Sequence, residues 1–195
     1  MANYIKNRIV FNCSEERLNE VFSFIKSERG DIDFQKIIPM PKTFLEYDTT
    51  NHPNGAGIAD VDMKLKFIQA TKFQKDVYGI VGWYNWSIFH WGTKWNAFDA
   101  FREGNAIWFT TAWNGVPDIV QMLVELFPDV DVEYAFADED YGYNVGTGYS
   151  EDGEFYFSMC EGGSDDAYHI CFDLWGCEDL FEKVDGEWRY KESIF

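Results

Sequence analysis

The sequence predicts an α+β fold, and three observations carry that prediction. β-forming stretches at residues 4–12, 107–113 and 130–136 alternate with helix-patterned segments that open at Ser14 and Pro117. Apolar residues make up 46% and aromatics 19% of the 195 residues, which supplies a sizeable core despite the charge. Six of the eight tryptophans lie between Trp83 and Trp113, and so much rigid apolar area is stable only when most of it is buried.

Residues 4–12 read as a first strand, with Tyr4, Ile9 and Phe11 among the β-formers. Ser14 caps the helix that follows. Glu15 and Glu16 sit in its first turn, where the positive dipole end favours them. Leu18, Val21, Phe22 and Ile25 make its apolar face and Gly30 ends it. A second strand is expected at 34–38, stopped by Pro39 and Pro41 because proline lacks the amide a ladder needs. Residues 42–62 are turn chemistry and read as a surface loop. Residues 62–75 read as helical in part. Residues 76–91 follow as one helix ending at Gly92, weakened by Gly79 and Gly82 and therefore held by packing.

Residues 96–102 suggest a short helical turn, with Phe98 and Phe101 inward. Residues 107–113 are apolar on both sides, which suits an interior strand covered on most of both faces. Pro117 opens the next helix at its tolerated first position, and Pro128 stops it. Val132, Tyr134 and Phe136 alternate with Asp131, Glu133 and Ala135 in a strand over 130–136. The order is strand, helix, strand, insertion, strand, helix, strand, which is the ferredoxin-like split βαβ arrangement. It occupies 1–137, with a helical insertion at 42–104. Residues 138–195 form a β-rich acidic extension on the same core. Two hairpins are expected there, turning at Asp152-Gly153 and Asp185-Gly186, with residues 167–174 helix or strand between them.

Trp91-Gly-Thr-Lys-Trp95-Asn, then Phe109-Thr-Thr-Ala-Trp113, Phe127-Pro and the acidic strand at Glu133-Tyr134-Ala135 resemble the YubB-like proteins of phages and plasmids. Met1-Ala-Asn, Asn7-Arg8 and Pro39-Met40-Pro41 fit the same pattern. The resemblance covers residues 2–148. It implies a ferredoxin-like domain and a mobile-element origin, and it supplies no catalytic residues.

The formal net charge is −18, and its distribution is uneven. Residues 1–117 carry 13 basic and 13 acidic side chains; the last 78 carry 3 and 21. That half repels phosphate and excludes direct nucleic-acid binding, and it attracts a basic protein surface. No run of 18 apolar residues exists, so no membrane span is expected. The start lacks the pattern of a secretion signal, and the reading is of a cytoplasmic protein in a bacterial host. Cys13, Cys160, Cys171 and Cys177 lack zinc spacing and read as reduced thiols, so neither metal nor cofactor is expected.

Chemistry-bearing residues are sparse. His90 with Asp99 has the composition of a general base and its orienting partner, set against a histidine packed among Trp86, Trp91 and Trp95. His52 and His169 lack a nucleophile nearby. Asp138-Glu139-Asp140 opens like a calcium loop but lacks the glutamate at position 12, where Tyr149 falls. No catalytic residue is assigned and the chain is read as no enzyme.

The functional expectation is a non-enzymatic acidic module that binds a basic protein surface. Its sharp form is an inhibitor of a host nuclease or defence complex by nucleic-acid mimicry. The surface expected to do this comprises Asp129, Asp131 and Glu133 as a row, with Asp138, Glu139, Asp140, Glu151, Asp152, Glu154, Glu161, Asp165 and Asp166 in adjoining loops and strand ends. The alternative is a small enzyme or small-ligand binder using a groove near His90 and the 42–62 loop. An exposed edge strand leaves a homodimer open.

Overall fold

A computed structural model describes residues 2–191; residue 1 and residues 192–195 of the two expected segments lie outside the described residues. Alternation builds β1 (Tyr4–Asn12). Ile5, Asn7, Ile9 and Phe11 are buried on one side, and Lys6, Arg8 and Val10 point to the other. The Ser14 hydroxyl accepts from the Arg17 amide and caps α1 (Glu15–Ile25), which buries Leu18, Val21, Phe22 and Ile25. This helix stops at Ile25, before Gly30. Lys26 is already extended, and Gly30 closes a small turn by paired backbone bonds to Ser27.

The expected strand over 34–38 is instead a single helical turn, α2 (Phe34–Ile37). Its start is fixed from outside the local pattern. The Asp33 carboxylate accepts from Gln35 N at 2.9 Å, and the Asn96 side-chain oxygen accepts from Phe34 N at 2.9 Å. Both donors would otherwise be orphaned. The 42–62 stretch is more than a surface loop. It contains α3 (Lys42–Glu46), which buries Phe44, and a 3₁₀ turn (Pro53–Gly55). Buried Gln74 ties it down, accepting from the Thr49 hydroxyl at 2.6 Å and donating to Thr43 O at 2.8 Å.

The helix expected over 76–91 is broken. α4 (Val61–Tyr78) ends on Gly79, which is left-handed at φ 69, and α5 (Trp83–Trp91) begins after Gly82 at φ 83. A Cβ on Gly82 would sit 2.4 Å from the Thr50 hydroxyl, so the chain needs glycine here both for its backbone angle and for space. The second sheet strand is β2 (Phe98–Glu103), where the sequence suggested helix. It pairs antiparallel with β3 (Ala106–Ala112) through a bulge between Phe98 and Phe101, at which Asp99 takes φ 49.

The remaining elements are α6 (Pro117–Leu126), β4 (Asp131–Asp138), β5 (Val145–Glu151), β6 (Glu154–Met159), α7 (Asp165–Trp175), β7 (Phe181–Val184) and β8 (Glu187–Tyr190). The fold is α+β. Six antiparallel strands run in the order β2-β3-β1-β4-β5-β6, with β7–β8 a separate hairpin. The first four strands with α1 and α6 are the ferredoxin-like arrangement, and its long inserted stretch lies between α1 and β2.

One sheet face carries Ile5, Ile9, Phe11, Ile107, Phe109, Val132, Tyr134 and Phe136 into the main core with α1 and α6. The other is crossed by α7, which lays Ala167, Cys171 and Leu174 on Ala135, Ala137 and Val145. Small residues at those sheet positions admit the helix closely. Phe181 and Trp188 of the last hairpin cover α7 from outside, against Tyr168 and Phe172. No helix among the described residues is long and apolar enough to cross a membrane.

Candidate functional site

The twelve carboxylates expected to form one surface divide into two groups at opposite ends of β4, seven residue steps apart, about 23 Å. At the near end, β4, β5 and β6 run in register: Glu133 faces Tyr149, Tyr149 faces Tyr156, and Glu151 faces Glu154. Asp131 opens β4 and Glu151 closes β5 at this same end of the sheet. Tyr149 and Tyr156 stack at 5.3 Å and are 52% and 45% exposed. The Tyr156 hydroxyl donates to Glu154 at 2.8 Å, and Glu133 accepts from the Asn12 side chain at 3.0 Å. Asp152, at the tip of the β5–β6 turn, is exposed. Asp129 lies outside the strand row, clamped by Arg17 through two bonds of 2.5 and 2.7 Å. The Arg17 guanidinium holds that carboxyl below its usual range.

At the far end, Asp138 is not a surface residue. It is 4% exposed and accepts from the Asn3 and Asn144 side chains and from the Asp140 amide. A strand end that must satisfy three donors buries the carboxylate that satisfies them, which corrects the surface role expected from charge alone. Glu139 accepts from the Tyr4 amide, and Asp140 and Glu161 are exposed. Asp165 and Asp166 open α7 at its positive dipole end. Asp165 is bridged by Lys183 at 2.6 Å and by the Trp188 indole at 2.8 Å.

His90 and Asp99 are not brought together as base and orienter. The His90 ring lies on Trp86 with centroids 4.4 Å apart. Burial lowers its pKa, and the carboxylate that opposes this is Asp118. Asp99 lines a different groove of about 610 Å³, between the end of α7 and the sheet face of β1, β3 and β2. Lys6 and Asp173 line that groove, and Arg8 borders it. Arg8 stands over Trp108 at 5.1 Å and pairs with Asp173 at 2.6 Å, and Lys6 stands over Trp175 at 4.7 Å. Phe101 lies parallel to Trp108. The Trp108 Nε1–H is the one buried side-chain polar atom without a hydrogen-bond partner among the described residues.

The stretch Trp91-Gly-Thr-Lys-Trp95 builds a second aromatic feature that composition did not reveal. Buried Thr93 exchanges hydrogen bonds with Ala112, donating to its carbonyl at 2.8 Å and accepting from its amide at 3.1 Å. That anchors the turn and places the Lys94 ammonium 4.5 Å from the Trp95 ring, 5.3 Å from Trp113 and 6.0 Å from Tyr84. Trp113 is held at φ 72, unusual for so bulky a residue, by bonds from its amide to Asn3 O and to its carbonyl from Asn144.

The outward side of α4 was also missed. Only Ala70, Thr71 and Gln74 of its eighteen residues are buried, while Val61, Leu65 and Ile68, at i, i+4 and i+7, face water. That spacing ordinarily marks a buried face, and here it lies on the exposed side of the helix. Among the described residues no group of three or more His, Cys, Asp or Glu side chains is placed to hold a metal ion.

Residues 90–178 match the model of a family described as the ferredoxin-like domain in Api92-like protein. A solved structure, the protein api92 from Yersinia pseudotuberculosis, is similar at a TM-score of 0.41 and 9% identity, over 83% of this chain and 99% of that one. No curated protein matches the chain. Over 90–178, from the end of α5 through α7, the chain is therefore similar to the ferredoxin-like domain of Api92-like proteins.

Proposed function

We propose that the chain is a non-enzymatic protein-binding module, and that it holds a basic partner at the open end of the second sheet face. The observation that carries this is the stacked, exposed Tyr149–Tyr156 pair bordered by Glu133, Glu151 and Glu154. Two rigid aromatics with an acidic border have the layout of an interface anchor and its rim. Glu151 directly opposite Glu154 costs folding stability, because like charges across a strand pair repel. A cationic partner relieves that repulsion, and the field of the acidic half speeds its approach.

The finer form of the reading is an inhibitor of a host nuclease or defence complex, with the carboxylate rows standing in for a nucleic-acid backbone. The resemblance to YubB-like proteins of phages and plasmids supports that setting, as does the crowding of the negative charge into the last 78 residues. Affinity capture from nuclease-treated bacterial lysate across a salt gradient tests it. A basic nucleic-acid-handling protein should bind at low salt, fall away at high salt, and be lost with Tyr149→Ala/Tyr156→Ala and with Glu151→Lys/Glu154→Lys. Capture that survives both double variants ends the reading. Asp140→Lys/Asp166→Lys, at the other end of β4, should leave capture unchanged.

A further inference from the structure

A cleft of about 370 Å³ lies between the α3 region and the turn after α5, within the size range of small-molecule sites. Trp83, Trp91, Trp95 and Phe44 supply its apolar walls, and Arg29 and Lys94 line it. Its one carboxylate, Asp48, is already satisfied. Asp48 Oδ1 accepts from the Trp83 indole at 3.0 Å and from the Asn51 amide at 3.2 Å, and Oδ2 accepts from the Asn51 side chain at 2.7 Å. Neither cation makes an ion pair within 4 Å among the described residues, in a chain whose net charge is −18, although Arg29 lies close enough to Asp33 to help hold its carboxyl pKa down.

The position of Lys94 is what gives the cleft its chemistry. An abundant supply of carboxylates exists elsewhere on the molecule, yet this ammonium is held by three aromatic faces instead. Ring faces attract a cation without neutralising it. Lys94 lines the cleft beside Trp95, while Trp113 and Tyr84, the other two rings on its ammonium, lie outside the cleft lining. We propose that this cleft binds a small monoanion carried on a flat apolar body, an aryl carboxylate in its simplest form. Lys94 and Arg29 meet the charge, and Trp83, Trp91 and Trp95 hold the ring. The site is independent of the acidic end, and either reading stands without the other.

The test uses 2-naphthoate and its neutral isostere 2-naphthamide, titrated into ¹⁵N-labelled full-length protein while the tryptophan indole N–H signals are followed. Naphthoate should shift the Trp83 and Trp95 signals saturably. Naphthamide should bind about ten- to hundredfold more weakly, the difference that hydrogen bonds to a charged group supply. Lys94→Met should erase that preference and Arg29→Gln should reduce it. Absence of naphthoate shifts, equal binding of the two probes, or a preference intact in both variants overturns the proposal. If Lys94→Met alone disturbs the ligand-free indole spectrum, exposed Arg29 decides, and an unchanged preference in Arg29→Gln overturns it.

Discussion

The Tyr134 hydroxyl donates to the Asn7 side-chain oxygen at 2.8 Å, in the middle of the sheet and out of contact with water. The same hydroxyl accepts from the Val116 amide at 2.6 Å, and Asn7 passes its own donors to Ile5 O and the Thr111 hydroxyl. Thr111 completes the chain by donating to Asn114 O at 2.7 Å. One polar line thus ties β4 to β1, β3 and the entry to α6. Burial drives the Tyr134 phenol well above its usual pKa, so it remains a donor throughout the accessible pH range.

Tyr134→Phe should therefore destabilise the protein by about 1–3 kcal/mol, because the Val116 amide and the Asn7 oxygen lose a partner where no water can replace it. Urea unfolding followed by tryptophan fluorescence measures the change. A loss below about 0.5 kcal/mol would show that the line is not needed.

Asp33 sets an acid limit. Burial pushes its carboxyl pKa up, but hydrogen bonds from Ser27, Asn96 and the Gln35 amide outweigh that and leave it below the ordinary value. A depressed folded-state pKa gives stability that is complete above the unfolded value, about 3.9, and is lost as pH falls through the folded one. Asp33→Asn should lower stability at neutral pH. It should also lose less than the native chain as the pH falls below about 4. Parallel acid profiles for the two proteins would contradict this assignment.

Cys171 should be the slowest thiol to react. Burial raises its pKa to about 11, against the Gly142 amide that bonds its sulfur at 3.2 Å. At pH 8 about one part in a thousand is thiolate, and the side chain is covered by the sheet. Iodoacetamide mapping should label half-buried Cys13 and Cys160 first, and Cys171 only as the protein unfolds. Early modification of Cys171 would mean that α7 lifts from the sheet in the native state.

Much of the fold was legible because its signals are local. Ser14 with two glutamates, Pro117 at a helix start, and Asp-Gly at the two late turns each specify backbone by the chemistry of a few neighbouring residues. The second strand was not. Phe34, Ile37 and Ile38 suit a strand as well as a turn of helix, and Asn96, 62 residues away, settles the matter by taking the Phe34 amide. β2 has no buried residue to reveal it, since it lies at a sheet edge and bulges at Asp99.

The site follows the same division. Residue identities alone determined the charge imbalance, the clustering of tryptophans and most element boundaries, because each depends on composition or on spacing along one segment. Only tertiary structure decided which carboxylates share a face, that Asp138 is internal, that His90 lies on Trp86 rather than beside Asp99, and that Lys94 sits beside an indole-lined cleft. Those outcomes depend on strand register and on segments distant in sequence converging, and a short-range pattern contains neither.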